Sequence, residues 1–326
     1  MTGDGSRAPT RALRRQQHGA AGAAGLDGLR PGQSLELLKE LHILTRDGRI
    51  NQDSRRKLKQ VFHLFQLIEQ PLRELALDAA ESPSGAPRGL TIVDHGAGKS
   101  YLGFILYDLF MRHQIAGRIV GIETRAELVH QSRELCARLG FERMSFFNLS
   151  VNEASDDAGL PGQVDMVTAL HACDTATDDA IAFGVKKKAR AMVLVPCCQA
   201  ELARKLNAGK ALALGRTPLA ELWRHPLHTR ELGSQLTNVL RCLYLEALGY
   251  QVTVTELVGW EHSMKNELIL ARFTGQPRLA AGRRLCALLE QFGLTDLLHA
   301  RYRLVADLVA VRSDPAAPEP DEGKQT

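Results

Sequence analysis

Short apolar runs alternate with longer amphipathic stretches between residues 90 and 273. The longer stretches carry apolar residues at helical spacing, and the short runs have the length of buried strands. Alternation of strands and helices indicates a parallel sheet with helices on both faces. The predicted strands are 90–94, 118–123, 143–147, 164–170, 191–195, 250–258 and 267–273, and the helices between them lie near 100–113, 125–139, 174–187 and 234–248.

The last two predicted strands differ from the others in their connection. Only eight residues separate 250–258 from 267–273. This is too short for a helical crossover, so these two strands should be antiparallel to each other. The pattern therefore predicts an α/β fold, a doubly wound seven-stranded sheet whose last strand is antiparallel, with helical additions towards both termini.

The hydrophobic pattern outside the predicted sheet indicates how the rest of the chain is organised. Helical spacing recurs before and after the sheet, and the segment 200–233 is poorly periodic and is a candidate substrate lid. We predict a disordered tail at 1–33, a helical N-terminal extension at 34–85, an α/β catalytic domain at 86–275, C-terminal helices at 276–312 and a second disordered tail at 313–326.

Composition narrows the class of protein. Of 326 residues, 44% are hydrophobic and 24% are charged, which is typical of a globular protein with a real core. No window approaches the roughly 18 consecutive apolar residues of a membrane span, and no apolar signal segment opens the chain. We therefore expect a cytoplasmic protein with reduced cysteines. The net charge of +4 is compatible with an RNA partner but does not require one.

A glycine-rich turn follows the first predicted strand, in the sequence VDHGAGKSYLG. A phosphate-binding P-loop would need glycine at Val93, so that interpretation fails. A dinucleotide fingerprint beginning at Gly96 would need a third glycine at Tyr101, so bound pyrophosphate is disfavoured. The turn also has a ligand-free interpretation, as a tight connection between a strand and a helix.

The remaining pattern is Asp94, Gly96 and Gly98, with Ser100 in the place of a third glycine. It resembles motif I of methyltransferases and suits S-adenosylmethionine. The glycines let the backbone approach the amino-acid end of the cofactor, and Asp94 can counter its ammonium group.

A carboxylate ends the second predicted strand. Glu123 is placed to accept hydrogen bonds from both ribose hydroxyls, as acids do at this position in nucleotide-binding sheets. Its other interpretation is an acid that stabilises the start of helix 125–139. We expect the adenine near Thr124 and Asn148.

A second group of polar residues follows the fourth and fifth strands, in LHACDTATD and PCCQ. Neighbouring strand ends should bring these segments together beside the transferred methyl group. Three interpretations stay open. The first is a nucleophilic Cys197 or Cys198, and the second is a zinc site of His171 with Cys173, Cys197 and Cys198. The third is a pocket floor on which His171 or Asp174 orients or deprotonates the acceptor. We favour the third and predict no metal.

Four motifs, DHGAGKSYLG, LHACDTATD, PCC and the late KN at 265–266, together resemble one subgroup of class I S-adenosylmethionine-dependent methyltransferases. The subgroup contains bacterial enzymes and eukaryotic methyltransferase-like proteins, with a tRNA ribose 2′-O-methyltransferase branch as a distant member. The resemblance covers roughly residues 55–273. His95 and Ser100 depart from the usual motif I, where a hydrophobic residue and glycine are expected.

The resemblance implies the fold and S-adenosylmethionine as cofactor, and it says little about the substrate. We predict a macromolecular acceptor, with RNA favoured over protein. The alternative is a non-catalytic methyltransferase-like binding module. We expect no membrane partner, and the sequence does not determine an oligomeric state. The predicted catalytic residues are His171, Asp174, Cys197 and Asn266, and the predicted cofactor-binding residues are Asp94, Gly96, Ala97, Gly98, Tyr101, Glu123, Thr124, Asn148 and Leu170.

Overall fold

The computed structural model divides the chain into two compact units. The first comprises Met1–Asp156 with Leu257–Asn266, and the second comprises Asp157–Glu256 with Glu267–Thr326. The residues described are 29–81, 88–114, 116–157, 159–170, 172–196, 199–208, 218–257 and 267–311. The two predicted tails lie outside these residues, except for 29–33.

Seven strands form one sheet in the order β3-β2-β1-β4-β5-β7-β6. The pairs β1–β2, β2–β3 and β4–β5 are parallel, whereas β7 is antiparallel to both β5 and β6. This arrangement confirms the predicted fold class. The strand order is that of class I methyltransferases. The strands are β1 Leu90–His95, β2 Gly117–Glu123, β3 Met144–Asn148, β4 Met166–Leu170, β5 Ala191–Val195, β6 Tyr250–Glu256 and β7 Glu267–Phe273.

In the first unit, the two N-terminal helices begin at side-chain caps of the residue types that favour this position. The hydroxyl of Ser34 accepts from Leu37 N at 3.2 Å, and the amide oxygen of Asn51 accepts from Ser54 N at 2.8 Å. The second helix continues through Pro71 as a single helix of 29 residues. The helices are α1 Leu35–Glu40, α2 Gln52–Ala80, α3 Tyr101–Leu109, α4 Ala126–Leu139 and α5 Val151–Asp156, with a 3₁₀ turn at Met111–His113.

Helices α1 and α2 share a hydrophobic cluster with α3, the helix that follows the glycine-rich turn. Ile105 is the residue of α3 that belongs to the buried cluster, and Tyr101 of α3 packs against the cluster. Asp108 of α3 accepts from Ser34 N with both oxygens, at 3.2 and 3.1 Å. The N-terminal extension is therefore fastened to α3 by apolar contact and by a buried carboxylate. The buried cluster is Leu38, Ile43, Leu44, Leu58, Val61 and Ile105.

In the second unit, β4 and β5 are buried almost throughout and carry the candidate catalytic segments at their ends. The segment 200–233 is more regular than its sequence predicts, because it contains α7 and the first residues of α8. The helices are α6 Ala176–Lys186, α7 Glu201–Ala208, α8 Pro226–Ala247, α9 Leu279–Gln291, α10 Asp296–Ala300 and α11 Arg303–Val311, with a 3₁₀ turn at Pro218–Trp223.

Within the described ranges, no helix is both long enough and apolar enough to cross a membrane.

Candidate active site

The glycine-rich turn follows β1, and Asp94 lies near the end of that strand. Only 2% of the surface of Asp94 is exposed. Gly96 and Gly98 have φ values of 63° and 58°, a left-handed conformation that glycine adopts without strain. Ala97 N donates to Ile122 O at 2.9 Å, which ties the turn to β2. The two glycines thus let the chain reverse tightly between β1 and α3.

Ser100 occupies the position where motif I usually has a third glycine. It is fully buried and left-handed, with φ of 50°. Its hydroxyl donates to Asp94 Oδ2 at 2.8 Å. Hydroxyl and carboxylate lie against Gly103, where an added Cβ would clash with Ser100 Oγ and lie 3.1 Å from Asp94 Oδ2. The serine is therefore compatible with the turn, and it supplies Asp94 with a hydrogen-bond donor.

Glu123 is held against the same turn by hydrogen bonds to both of its oxygens. Oε2 accepts from Gly98 N at 2.7 Å, and Oε1 accepts from Arg125 N and Arg125 Nε, each at 3.0 Å. Burial alone would raise the pKa of Glu123, but these bonds from Arg125 and Gly98 lower it to about 2. The carboxylate is therefore ionised at neutral pH and can accept hydrogen bonds from hydroxyl groups.

Asn148 lies beside Glu123, with which it pairs in the β2–β3 register. Its amide nitrogen donates to Glu123 O at 3.0 Å and to Thr124 O at 2.8 Å. This fixes the backbone at the end of β2. The predicted contact of Asn148 with adenine would then have to use Oδ1, since both N–H groups are engaged.

Tyr101 opens α3 and is half-buried against the cluster formed with α1 and α2. Burial raises its pKa, so the phenol stays protonated. Its ring therefore contributes to packing of the N-terminal extension, and its contact with the cofactor stays a prediction, as do those of Ala97 and Thr124.

In the second unit, Asp174 follows β4 and has a left-handed backbone, with φ of 51°. Oδ1 accepts from Ala200 N and Glu201 N, both at 3.0 Å, and Oδ2 accepts from Arg204 Nη2 at 2.9 Å. The carboxylate thus caps the start of α7 and joins the segments that follow β4 and β5.

Burial would raise the pKa of Asp174, but these bonds lower it overall. A carboxylate with a lowered pKa is a weak base, so this geometry favours an orienting role over deprotonation of an acceptor.

The other predicted catalytic residues, His171, Cys197 and Asn266, lie outside the described residues, as does Cys198. Leu170 ends β4 half-buried, and Cys173 is exposed. Among the residues that the structure describes, no three His, Cys, Asp or Glu side chains are grouped to hold a metal ion.

A pocket of about 580 Å³ opens on the outer side of the glycine-rich turn. Lys99 of the turn, His42 after α1 and Arg138 of α4 lie in its wall. Of the described residues, those that line it include none of the predicted cofactor-binding set. The pocket is therefore not the predicted cofactor site, and we locate the candidate active site from the geometry of Asp94, Glu123 and the turn instead.

Sequence reasoning missed three residues that the geometry brings to these sites. Arg125 pairs with Glu123, Gly103 makes room for Ser100, and the fully buried Arg241 of α8 donates to Asp174 O at 2.8 Å. Gly103 closes the glycine-rich string and Arg125 follows a strand-end acid, so both had a local signal. Arg241 had none.

Residues 56–205 match a family model described as a methyltransferase domain. Together with the strand order, this match confirms the prediction of a methyltransferase; the narrower motif subgroup stays a prediction. Among curated proteins, none matches this sequence.

Solved structures with a similar fold include the following three proteins. Fibrillarin, a pre-rRNA processing protein from Methanococcus jannaschii, is 14% identical, with 58% of this chain and 68% of that chain covered and a TM-score of 0.36. An rRNA methylase from Streptococcus thermophilus is 8% identical, with 63% and 95% covered and a TM-score of 0.37. Magnesium protoporphyrin IX methyltransferase from Synechocystis, solved with bound SAH, is 12% identical, with 81% and 99% covered and a TM-score of 0.38.

Proposed function

We propose that this protein is an S-adenosylmethionine-dependent methyltransferase that methylates a macromolecule, RNA ahead of protein. The observation that carries the proposal is the contact of Glu123 Oε2 with Gly98 N at 2.7 Å. This contact supports the proposal, because it holds an ionised carboxylate, which can accept from hydroxyl groups, directly beside a turn whose glycines would let a ligand approach the backbone.

The described residues fit this cofactor. A Cβ added at Gly98 would meet nothing closer than Arg125 Nη2 at 3.7 Å. On that side of the turn, the Arg125 side chain is therefore the one neighbour within 4 Å among the described residues. Glu123 would accept from the ribose, and the buried Asp94 would face the ammonium group. When bound, the cofactor supplies an electrophilic methyl group on its sulfonium sulfur.

Methyl transfer needs the acceptor atom placed in line with that methyl group more than it needs a covalent intermediate. In the second unit, Asp174 holds the segment after β4 against the start of α7, and we assign it a role in orienting the acceptor. The acceptor atom loses its proton to His171 or to water, in keeping with the weak basicity of Asp174.

RNA is favoured as acceptor by the motif resemblance and by the balance of 41 basic against 37 acidic residues. Arg55 and Lys59 are exposed on α2 and are available to phosphates.

A second candidate function, a non-catalytic binding module, is favoured by one observation. Asp94 and Glu123 already accept hydrogen bonds from Ser100 and Arg125 of the same chain. A relic that no longer binds the cofactor would keep such internal bonds.

Calorimetric titration with S-adenosylhomocysteine separates the two functions. We expect the wild-type protein to bind, and Glu123→Ala to bind about 10- to 100-fold more weakly, since hydrogen bonds to a charged group contribute about 1.5–3 kcal/mol. Glu127→Ala, which removes an exposed acid from the first turn of α4, should leave the affinity unchanged. Absence of binding by the folded wild-type protein would support the binding module instead.

The acceptor is tested with radiolabelled S-adenosylmethionine and total RNA or total protein from cells that lack the gene. Label in RNA supports the proposal, and digestion with mass spectrometry then locates the nucleoside. Label in protein alone would overturn the choice of RNA while leaving the methyltransferase in place.

A further inference from the structure

A group of buried polar side chains lies around the middle of α8 in the second unit. Two of them, Asn238 and Arg241, are one turn apart on this helix and are 4% and 0% exposed. Polar groups at such depth are stable only when their hydrogen bonds are satisfied. We call this group the α8 polar cluster; its members are Asp178, Gln199, Ser234, Asn238, Arg241 and Glu267.

Arg241 binds the segment that follows β4. Its Nε donates to Asp178 Oδ1 at 3.1 Å and its Nη2 to Asp178 Oδ2 at 2.6 Å, a two-pronged pair in which both side chains are buried. Nη2 also donates to Asp174 O at 2.8 Å. One guanidinium therefore fixes both the backbone of Asp174 and the first turn of α6.

Asn238 binds the segment that follows β5. Its Oδ1 accepts from Arg241 Nη1 at 3.0 Å and from Gln199 Nε2 at 3.2 Å. Gln199 Oε1 in turn accepts from Ser234 Oγ, one helical turn earlier in α8, at 2.6 Å. Gln199 comes directly after PCC in the sequence, so the chain that follows this motif is held to α8 at two points.

Asn238 also binds the start of β7. Its Nδ2 donates to Glu267 Oε2 at 2.7 Å. Glu267 comes directly after the KN pair, and the register Leu194↔Ile269 places it at the end of the sheet where β5 finishes. Every polar atom of the Asn238 side chain is thus bonded to a different partner segment or to Arg241.

Each of the three motif segments that the sequence marks in this part of the chain therefore contributes one side chain to the cluster. LHACDTATD contributes Asp178, PCCQ contributes Gln199, and the residue after KN is Glu267. These positions are far apart in sequence, and they meet on two adjacent side chains of α8.

We propose that Asn238 and Arg241 are positioning residues for the methyl acceptor. They hold the three segments in one fixed arrangement and do not themselves contact the acceptor. This inference rests on the proposed function, because the predicted catalytic residues His171, Asp174, Cys197 and Asn266 belong to these three segments.

Hydrogen exchange measured by mass spectrometry tests the arrangement without any assay of activity. In Asn238→Asp, two carboxylates would face each other at the 2.7 Å contact with Glu267, which breaks the cluster. We expect exchange to rise at least about tenfold in 172–178, 199–201 and 267–270 alike, which corresponds to a local opening that costs about 1.4 kcal/mol less.

The matched control is Leu240→Ala, which removes a fully buried apolar side chain from the same helix and leaves the polar contacts in place. Its loss of packing should raise exchange along α8 without singling out the three segments. If Asn238→Asp changes only one of the segments, or changes them no more than Leu240→Ala does, the proposal is overturned.

The double variant Asn238→Asp with Glu267→Gln exchanges amide and carboxylate across the contact. The introduced amide at 267 donates to the introduced carboxylate at 238, whose oxygens still accept from Gln199 and Arg241. We expect Asn238→Asp to lower kcat at least about tenfold with an unchanged affinity for S-adenosylhomocysteine, and the double variant to recover most of that loss. An unchanged kcat in a variant whose exchange has risen would refute the positioning role.

Failure of the proposed function has a different signature. If the wild-type protein transfers no methyl group to RNA or protein, that function falls, while hydrogen exchange still decides whether the cluster joins the three segments.

Discussion

Glu123 is a residue with two competing sets of partners. The ribose hydroxyls predicted to bind it must share oxygens that Arg125 already contacts at 3.0 and 3.3 Å. The guanidinium is 60% exposed, so its ion pair is screened by solvent and is weak. Displacing it from the carboxylate is therefore a small cost within cofactor binding.

Removing this competitor should strengthen cofactor binding. We expect Arg125→Ala to bind S-adenosylhomocysteine about two- to fivefold more tightly than wild type, which corresponds to an exposed ion pair of up to about 1 kcal/mol. Arg125→Lys, which keeps the charge but not the two-pronged contact, should fall between them in calorimetry. Weaker binding by Arg125→Ala would show instead that Arg125 contacts the cofactor.

His95 makes the stability of the fold depend on pH. It ends β1 at 3% exposure, and burial lowers its pKa to about 4, against 6.5 in the unfolded chain. Between these values the unfolded chain binds a proton that the folded protein does not, so stability falls as pH falls from about 6.5 towards 4.

A comparison with His95→Leu isolates this contribution, since leucine does not titrate. Urea denaturation at pH 7.5 and pH 5.0 should show wild type losing about 2 kcal/mol more than His95→Leu over that interval. Equal losses in the two proteins would mean that His95 is not held neutral by burial.

At this scale, sequence reasoning identified the residues whose signal is local. Asp94, Gly96 and Glu123 stand at strand ends or in a tight turn, and the structure brings Gly98 and Glu123 together. Arg241 sits among apolar residues of a long helix, and its partner Asp178 is far away in the chain. Only the folded backbone pairs them, so no pattern in the sequence announces the contact.

Among the elements, the N-terminal extension is anchored to α3 at Asp108. This carboxylate is 1% exposed; burial raises its pKa, although Ser34 N and Arg112 Nη1 donate to it, the latter at 2.6 Å. The helix that starts from the glycine-rich turn thereby supports α1 and α2.

Asp108→Ala should loosen this anchor, because it leaves a backbone N–H and a guanidinium without their acceptor. We expect a loss of about 1–3 kcal/mol in urea denaturation and faster hydrogen exchange in residues 34–44. Asp53→Ala removes an exposed carboxylate paired with Lys57 on α2 and should cost less than about 1 kcal/mol. Comparable losses in both variants would contradict the anchor.

The strands were predictable as elements because each is a short apolar run, and all seven appear within two residues of their predicted bounds. The beginning of α8 was not. Its first residues from Pro226 to Arg230, apart from Thr229, are exposed, and their side chains show no apolar period. The signal available there was Pro226 itself, which suits the first position of a helix.

For the molecule as a whole, the C-terminal helices contribute charge to the second unit through Arg301. This side chain donates to Glu201 Oε2 at 2.7 Å and lies 3.7 Å from Asp178 Oδ2. Because it is only 17% exposed, these contacts are better protected from solvent than those of a surface pair.

Arg301→Ala should therefore destabilise the protein by about 1–3 kcal/mol, because Glu201 loses its charged donor and Asp178 keeps only Arg241 as a counter-charge. Arg303→Ala, two residues away, breaks only an exposed pair with Asp307 and should cost less than about 1 kcal/mol. Thermal unfolding of both variants makes the comparison, and similar shifts would exclude a stabilising role for Arg301.

The cap that Asp174 places on α7 has a mechanical consequence. The start of α7 cannot move away without breaking the two hydrogen bonds from its backbone N–H groups to this carboxylate, and the chain that leaves β4 then keeps its contact with Arg241 but loses its contact with α7. A displacement of α7 is consequently coupled to a change in the segment that follows β4.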